Sequence, residues 1–263
     1  MGDERRRARE GGGRPALAAR LAAGGSVYAD EEADLLLSAA ETAEDLERMV
    51  RERVDGRPLE YVVGWAWFCG LKIFVEPGVF VPRVRTAFLV EQAQRRLAPY
   101  MVMVDLCCGS GAVGAALLAV APDAALYAVD IDPAAVGCAR RNLGADRVWE
   151  GDLYDALPAE LAGRVNLIVA NAPYVPHQAV PQLPREARLH EARIALDGGA
   201  DGLDVLRRVA EGAKSWLAAG GHLLVEASAA QGPKVADCFA QEGLSPAIAY
   251  SEALEATVVV GRR

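Results

Sequence analysis

After Thr86 the chain alternates short apolar runs with amphipathic segments, and this alternation restricts the fold more than any other feature. "MVMVDLC", "ALYAVDI", "RVWEGD", "NLIVANAP", "GHLLVEAS", "PAIAYSE" and "TVVVGR" read as seven strands. "FLVEQAQRRL", "GAVGAALLAVA", "DPAAVGCARRNL" and "DGLDVLRRVAEGAKSWL" carry the apolar spacing of helices. Strands joined through helices pair in parallel by right-handed crossovers. The expected fold is α/β, a doubly wound, mainly parallel seven-stranded sheet over 86–263, with ligands at the carboxyl ends of its strands.

Upstream, the pattern changes three times. Residues 1–14, with clustered Arg and a triple Gly, read as a flexible tail whose arginines are solvated rather than bound to RNA. Residues 15–57 have helical apolar spacing, with Asp30 placed as an N-cap and arginines gathered near the end, and form a small helical domain. Residues 58–85, rich in aromatic and β-branched side chains with Gly and Pro between them, read as a β-hairpin linker.

Composition excludes several function classes. A net charge of -8 provides no broad basic surface, so stable nucleic-acid binding is not expected. Five cysteines without CxxC spacing, Cys107 and Cys108 being adjacent, argue against disulfides and structural zinc and for a reducing compartment. His177, His190 and His222 lack metal spacing, so no metal is expected. No secretory leader and no apolar run of membrane-spanning length is found; the expected location is the cytoplasm.

Three features fall at predicted strand ends. In "VDLCCGSGAVG" the Gly109-Ser110-Gly111 turn follows a strand and opens a helix, where backbone N–H groups face a ligand. Taken alone it is a weak signal: it lacks the Lys-Ser/Thr of a phosphate-binding loop, and Cys107 stands where a first Gly would be. Asp130 ends the next strand about twenty residues on, the spacing of a carboxylate that accepts ribose hydroxyls. Capping, its alternative role, is better filled by Asp132 before Pro133. In "VANAPYVP" an apolar run ends in Asn171-Ala172-Pro173-Tyr174, which stops a strand and presents polar groups.

In this order, "GSG", "AVDID", "GDLY" and "NAPY" resemble the class I S-adenosylmethionine-dependent methyltransferases, and "NAPY" is similar to the Asn-Pro-Pro-Tyr signature of amino-group and amide N-methyltransferases. "RPLEYVVGWAWFCGLKIFVEPGVFVPR" and "EARLHEARIALDGGADGLDVLRRV" resemble the protein-(glutamine-N5) methyltransferases that modify peptide chain release factors; the likeness runs from about Ala33 to Arg262. It implies S-adenosyl-L-methionine as cofactor, a release factor as protein substrate, and a substrate-docking role for the helical domain. It places Gly109 and Gly111 at the methionine end, with Asp105, Cys107 and Ser110 in the same loop. Asp130 and Ile131 fall beside the ribose, and Asp152 and Leu153 border the adenine. Phe68, Pro82 and Arg83 are set at the mouth.

The chemistry agrees with that implication. An amide nitrogen is a poor nucleophile because its lone pair is delocalised, so an enzyme must fix its plane and direct it at the methyl group. Carbonyl oxygens of Asn171 and Ala172 accept the two amide hydrogens, Pro173 shapes the turn, and Tyr174 packs on the amide plane; Asn171 and Tyr174 are the catalytic pair, and Asn171 also borders the cofactor. The chain departs from the family at Ala172, at Cys107 and in "PRVRTA", where two carboxylates are missing and Arg85 adds a charge. These changes surround substrate entry, leaving two alternatives open: methylation of another planar nitrogen, or cofactor binding without turnover.

Overall fold

The computed structural model describes residues 13–263. Most of the expected tail lies outside the described residues, but Gly13 and Arg14 belong to the first helix. The chain divides into two compact units, the first ending at Trp65 and the second spanning Ala66–Arg263.

In the first unit, α1 (Gly13–Ala23), α2 (Ala29–Ala39), α3 (Ala43–Val54) and α4 (Leu59–Val63) pack Leu21, Leu36 and Val50 into a shared apolar core. Asp30 is not the expected N-cap: α2 begins a residue earlier, and the Asp30 carboxylate instead meets the Arg14 guanidinium at 2.7 Å. Thr42 does cap α3, its hydroxyl accepting from the Asp45 N–H. Arg53 forks onto both oxygens of the nearly buried Glu32 at 2.8 and 2.9 Å, joining α3 to α2. Residues 59–63, read as part of the hairpin linker, are instead α4. It buries Tyr61 and Val62, and Gly64 closes it in the left-handed region (φ 81).

The hairpin itself is β1 (Trp65–Phe68) and β2 (Leu71–Phe74), turned by Cys69 and Gly70, both at positive φ. A 3-10 turn, Val84–Thr86, leads into α5 (Ala87–Gln94). The main sheet follows with β3 (Val102–Leu106), α6 (Ala112–Val120), β4 (Ala125–Asp130), α7 (Pro133–Leu143) and β5 (Val148–Glu150). The chain then returns through β6 (Val165–Ala170), α8 (Arg185–His190), α9 (Asp204–Trp216), β7 (Leu217–Ala227), α10 (Gly232–Gln241), β8 (Ser245–Ser251) and β9 (Ala256–Arg262).

Strand order is β5-β4-β3-β6-β7-β9-β8, with β3 to β7 parallel, β9 antiparallel to β7 and β8 antiparallel to β9. The seven-stranded, mainly parallel sheet is the one the alternation predicts. Helix α10 was not anticipated; it packs Val235 and Phe239 beneath the antiparallel edge. The winding direction reverses between β3 and β6. Leu106 pairs with Val129 on one side and Ala170 on the other, so the segments after β3, β4 and β6 emerge at one sheet edge. That is where an α/β sheet opens a crevice.

Candidate active site

A cavity of about 250 Å³ occupies this crevice. Asp105, Cys107, Gly109, Ser110, Asp130, Ile131, Asp152, Leu153 and Asn171 all line it. Gly111 does not. It is the left-handed N-cap of α6 (φ 78), and a Cβ there would stand 2.7 Å from Leu143. Backbone conformation and helix packing are enough to require that glycine.

Gly109 is the opposite case: it lines the cavity at φ +56, and nothing lies within 4 Å of where its Cβ would be. Its N–H donates to Asp130 Oδ2 at 2.8 Å, and Asp132 N–H donates to Oδ1 at 2.9 Å. Both carboxylate oxygens are thus oriented, and each retains acceptor capacity. Burial raises the Asp130 carboxyl above its ordinary value, with these two N–H donors opposing the rise. Asp105 accepts from Gly114 N–H at 2.9 Å, and burial pushes it up to about 7. Burial also lifts the Cys107 and Cys108 thiols, so both are neutral at ordinary pH. Asp132 caps α7 as expected, accepting from the Ala134 N–H ahead of which Pro133 sits. An open glycine turn, an oriented carboxylate and apolar walls suit a nucleoside sulfonium, so the residues present fit S-adenosylmethionine.

A second cavity of about 200 Å³ shares Phe80, Asn171, Pro173 and Ala195 with the first. Ala172, Tyr174, Arg83 and Arg85 line it as well. Asn171 therefore stands on the wall between the two spaces. Its Nδ2 donates to Thr86 Oγ1 at 3.3 Å. Among the described residues nothing donates to Asn171 Oδ1 or to the Ala172 carbonyl, so two carbonyl acceptors stay open. The Tyr174 hydroxyl donates to Glu226 Oε1 at 3.1 Å, and burial, then the Glu226 charge, hold it well above the phenol range.

Phe68 and Arg83 differ from their expected place at a mouth. Phe68 is buried in the wall of the first cavity because its strand turns it inward, and it does not reach the second. Arg83 lines the second cavity with its guanidinium 2.5 Å from the buried Glu191, which also accepts from the Val81 N–H. Pro82 lines the first cavity. His177 pairs with Asp197 at 2.8 Å on the exposed side.

Sequence reading missed Thr86, Asp197 and Arg208. Arg208 reaches Asp152 at 2.8 Å from α9. A polar residue on a helix carries no local sign of the loop it will meet, whereas Thr86 lay inside "PRVRTA", already marked as divergent.

Residues 70–201 match the methyltransferase small domain family. Release factor glutamine methyltransferases are 36–41% identical to the chain; that of Geobacter sulfurreducens is 36% identical over 221 residues, 82% of this chain and 76% of its own length. The 4-amino-L-phenylalanine/4-methylamino-L-phenylalanine methyltransferase of Streptomyces pristinaespiralis is 36% identical over 204 residues, 74% of this chain and 69% of that one. A methyltransferase structure from Pyrococcus furiosus shares the fold with a TM-score of 0.56 at 16% identity, covering 73% of this chain and 89% of that one.

Proposed function

We propose that this chain, which belongs to the release factor glutamine methyltransferase family of methyltransferase small-domain proteins, methylates a glutamine side-chain amide in a peptide chain release factor. The observation that carries this reading is Asn171, set between the two cavities with its Oδ1 and the Ala172 carbonyl open.

The chain is a methyltransferase that uses S-adenosylmethionine, which when bound supplies an electrophilic methyl group on a sulfonium. Asp130, held by two backbone N–H groups, accepts the ribose hydroxyls, Asp152 and Leu153 border the adenine, and Gly109 lets the backbone approach the methionine end. The acceptor amide enters the second cavity. Asn171 Oδ1 and the Ala172 carbonyl each accept one of its N–H bonds, which fixes its plane and raises the electron density on nitrogen. Tyr174 packs on that plane and, with Phe80 and Pro173, excludes water. Positioning and electrostatics supply the catalysis. The nitrogen sheds one proton on methylation; the N-protonated amide is a strong acid, so a carbonyl oxygen already accepting its N–H bond, Asn171 Oδ1 or that of Ala172, passes the proton on to solvent and no strong base is needed.

The helical unit through Trp65 is read as the docking surface for the protein acceptor. A cytoplasmic setting is supported by five free cysteines, and among the described residues no helix is long and apolar enough to cross a membrane.

The test is transfer of tritiated methyl from S-adenosylmethionine to purified release factors, with and without the glutamine of their Gly-Gly-Gln sequence. Label that vanishes with the glutamine is the expected result. A second reading, an aromatic or other planar amine as acceptor, is favoured by the Streptomyces pristinaespiralis relative and by the altered "PRVRTA" segment. Label on 4-aminophenylalanine with none on release factors would put that reading first. Cofactor binding with no label anywhere would mean a chain without turnover.

A further inference from the structure

The Val84–Thr86 turn touches both functional side chains of the acceptor cavity from adjacent positions. Thr86, 2% exposed, accepts from Asn171 Nδ2 at 3.3 Å. Arg85 Nε donates to Glu226 Oε1 at 3.1 Å, the same oxygen that accepts the Tyr174 hydroxyl, and the guanidinium lies 5.9 Å from the Tyr174 ring centroid. Glu226, also 2% exposed, is the penultimate residue of β7, and among the described residues its Oε2 has no partner, so a single oxygen carries both contacts. Among the described residues Arg85 is the cation paired with this buried carboxylate, whose stability depends on Arg85 and Tyr174 together.

We infer that the Val84–Thr86 turn is the positioning element of the acceptor clamp, Thr86 holding the Asn171 amide so that Oδ1 faces the acceptor and Arg85, through Glu226, holding the Tyr174 ring. A side-chain amide can rotate to present either its oxygen or its NH₂. An acceptor NH₂ needs the oxygen, so engaging Nδ2 on the far side removes the unproductive orientation in advance. A tyrosine anchored only by its ring edge would likewise swing on χ1. Holding its hydroxyl at one end and covering its face at the other leaves a plane against which an amide can lie. Both restraints come from one turn, which couples them: a shift of the Val84–Thr86 backbone moves Asn171 and Tyr174 together. Arg85 and Thr86 are positioning residues, since neither is required to touch the reacting nitrogen.

The inference takes Asn171 and Tyr174 as the clamp from the proposed function, and it is tested with whichever acceptor the full-length chain labels. Thr86→Val should lower kcat/KM by about fivefold or more, the scale of one lost hydrogen bond. Thr86→Ser should return it to within about twofold of the parent, and the affinity for S-adenosylmethionine, measured calorimetrically, should change by less than kcat/KM does in Thr86→Val, although Thr86 also lines the first cavity. Added to Asn171→Ala, Thr86→Val should cause no further loss; added to Glu226→Gln, which removes the carboxylate through which Arg85 acts, Arg85→Met should cause none either. A purely structural role would instead multiply the losses and lower the thermal midpoint in step. Should Thr86→Val not fold, Thr86→Ala carries the same expectations. Wild-type kcat/KM in both single variants, multiplicative losses, or failure of serine to rescue would each overturn the inference. Labelling of an amine but no glutamine would overturn the proposed substrate and leave these comparisons intact, whereas no labelling of any acceptor would overturn both.

Discussion

Asn171 and Asp105 both line the site, yet they answer to different physics. Asn171 offers an oriented dipole, and Asn171→Ala should cut turnover roughly a hundredfold or more while leaving S-adenosylmethionine affinity nearly intact. Parallel loss of both in a binding titration would remove it from the acceptor side. Asp105 is instead a buried acid. Folding raises its carboxyl from 3.8 to about 7, so the native chain keeps a proton that the unfolded chain releases. The stability tied to this group is complete below pH 3.8 and is lost as pH rises through 7. Asp105→Asn keeps an acceptor for the Gly114 N–H but cannot ionise. The thermal midpoint of the parent should therefore fall relative to that of the variant between pH 5 and pH 8; a constant difference would show that Asp105 does not titrate in this range. At this scale the sequence was legible in bringing Asp130 and Gly109 to the cavity wall. Gly111 stands off the cavity wall, and in a sequence a glycine packed against Leu143 looks the same as one opened to a ligand.

Among the elements, the helices of the first unit are joined by the Glu32–Arg53 pair, nearly buried and bidentate. Removing one partner strands a charge, so Glu32→Ala should destabilise this unit by about 3 kcal/mol. Denaturant unfolding followed on this unit would show it, and a change below about 1 kcal/mol would mean the pair is solvated like a surface bridge. Strands and helices of the second unit were read from their periodicity, and Asp132 before Pro133 announced α7. Helix α4 was not read, since "LEYVV" is β-branched and aromatic, and only the burial of Tyr61 and Val62 selects a helix there. Asp30 illustrates the same limit: an N-cap preference yielded to a guanidinium that α1 brings to 2.7 Å.

For the whole molecule, cofactor binding to the native Ala66–Arg263 unit must stabilise it by mass action. At a hundredfold excess of S-adenosylmethionine over its Kd the gain is about 2.7 kcal/mol, which should raise that unit's calorimetric midpoint by roughly 5–10 °C. No shift at saturating cofactor would contradict the cavity assignment. Periodicity, charge and the order of motifs determined the class of fold, the seven strands and the loops that carry chemistry, because each depends on residues close together in the chain. Tertiary structure decided which of those residues meet. Thr86 reaches Asn171 and Arg85 reaches Glu226 across 85 and 141 positions, and only the reversal of winding between β3 and β6 brings such distant segments to one edge.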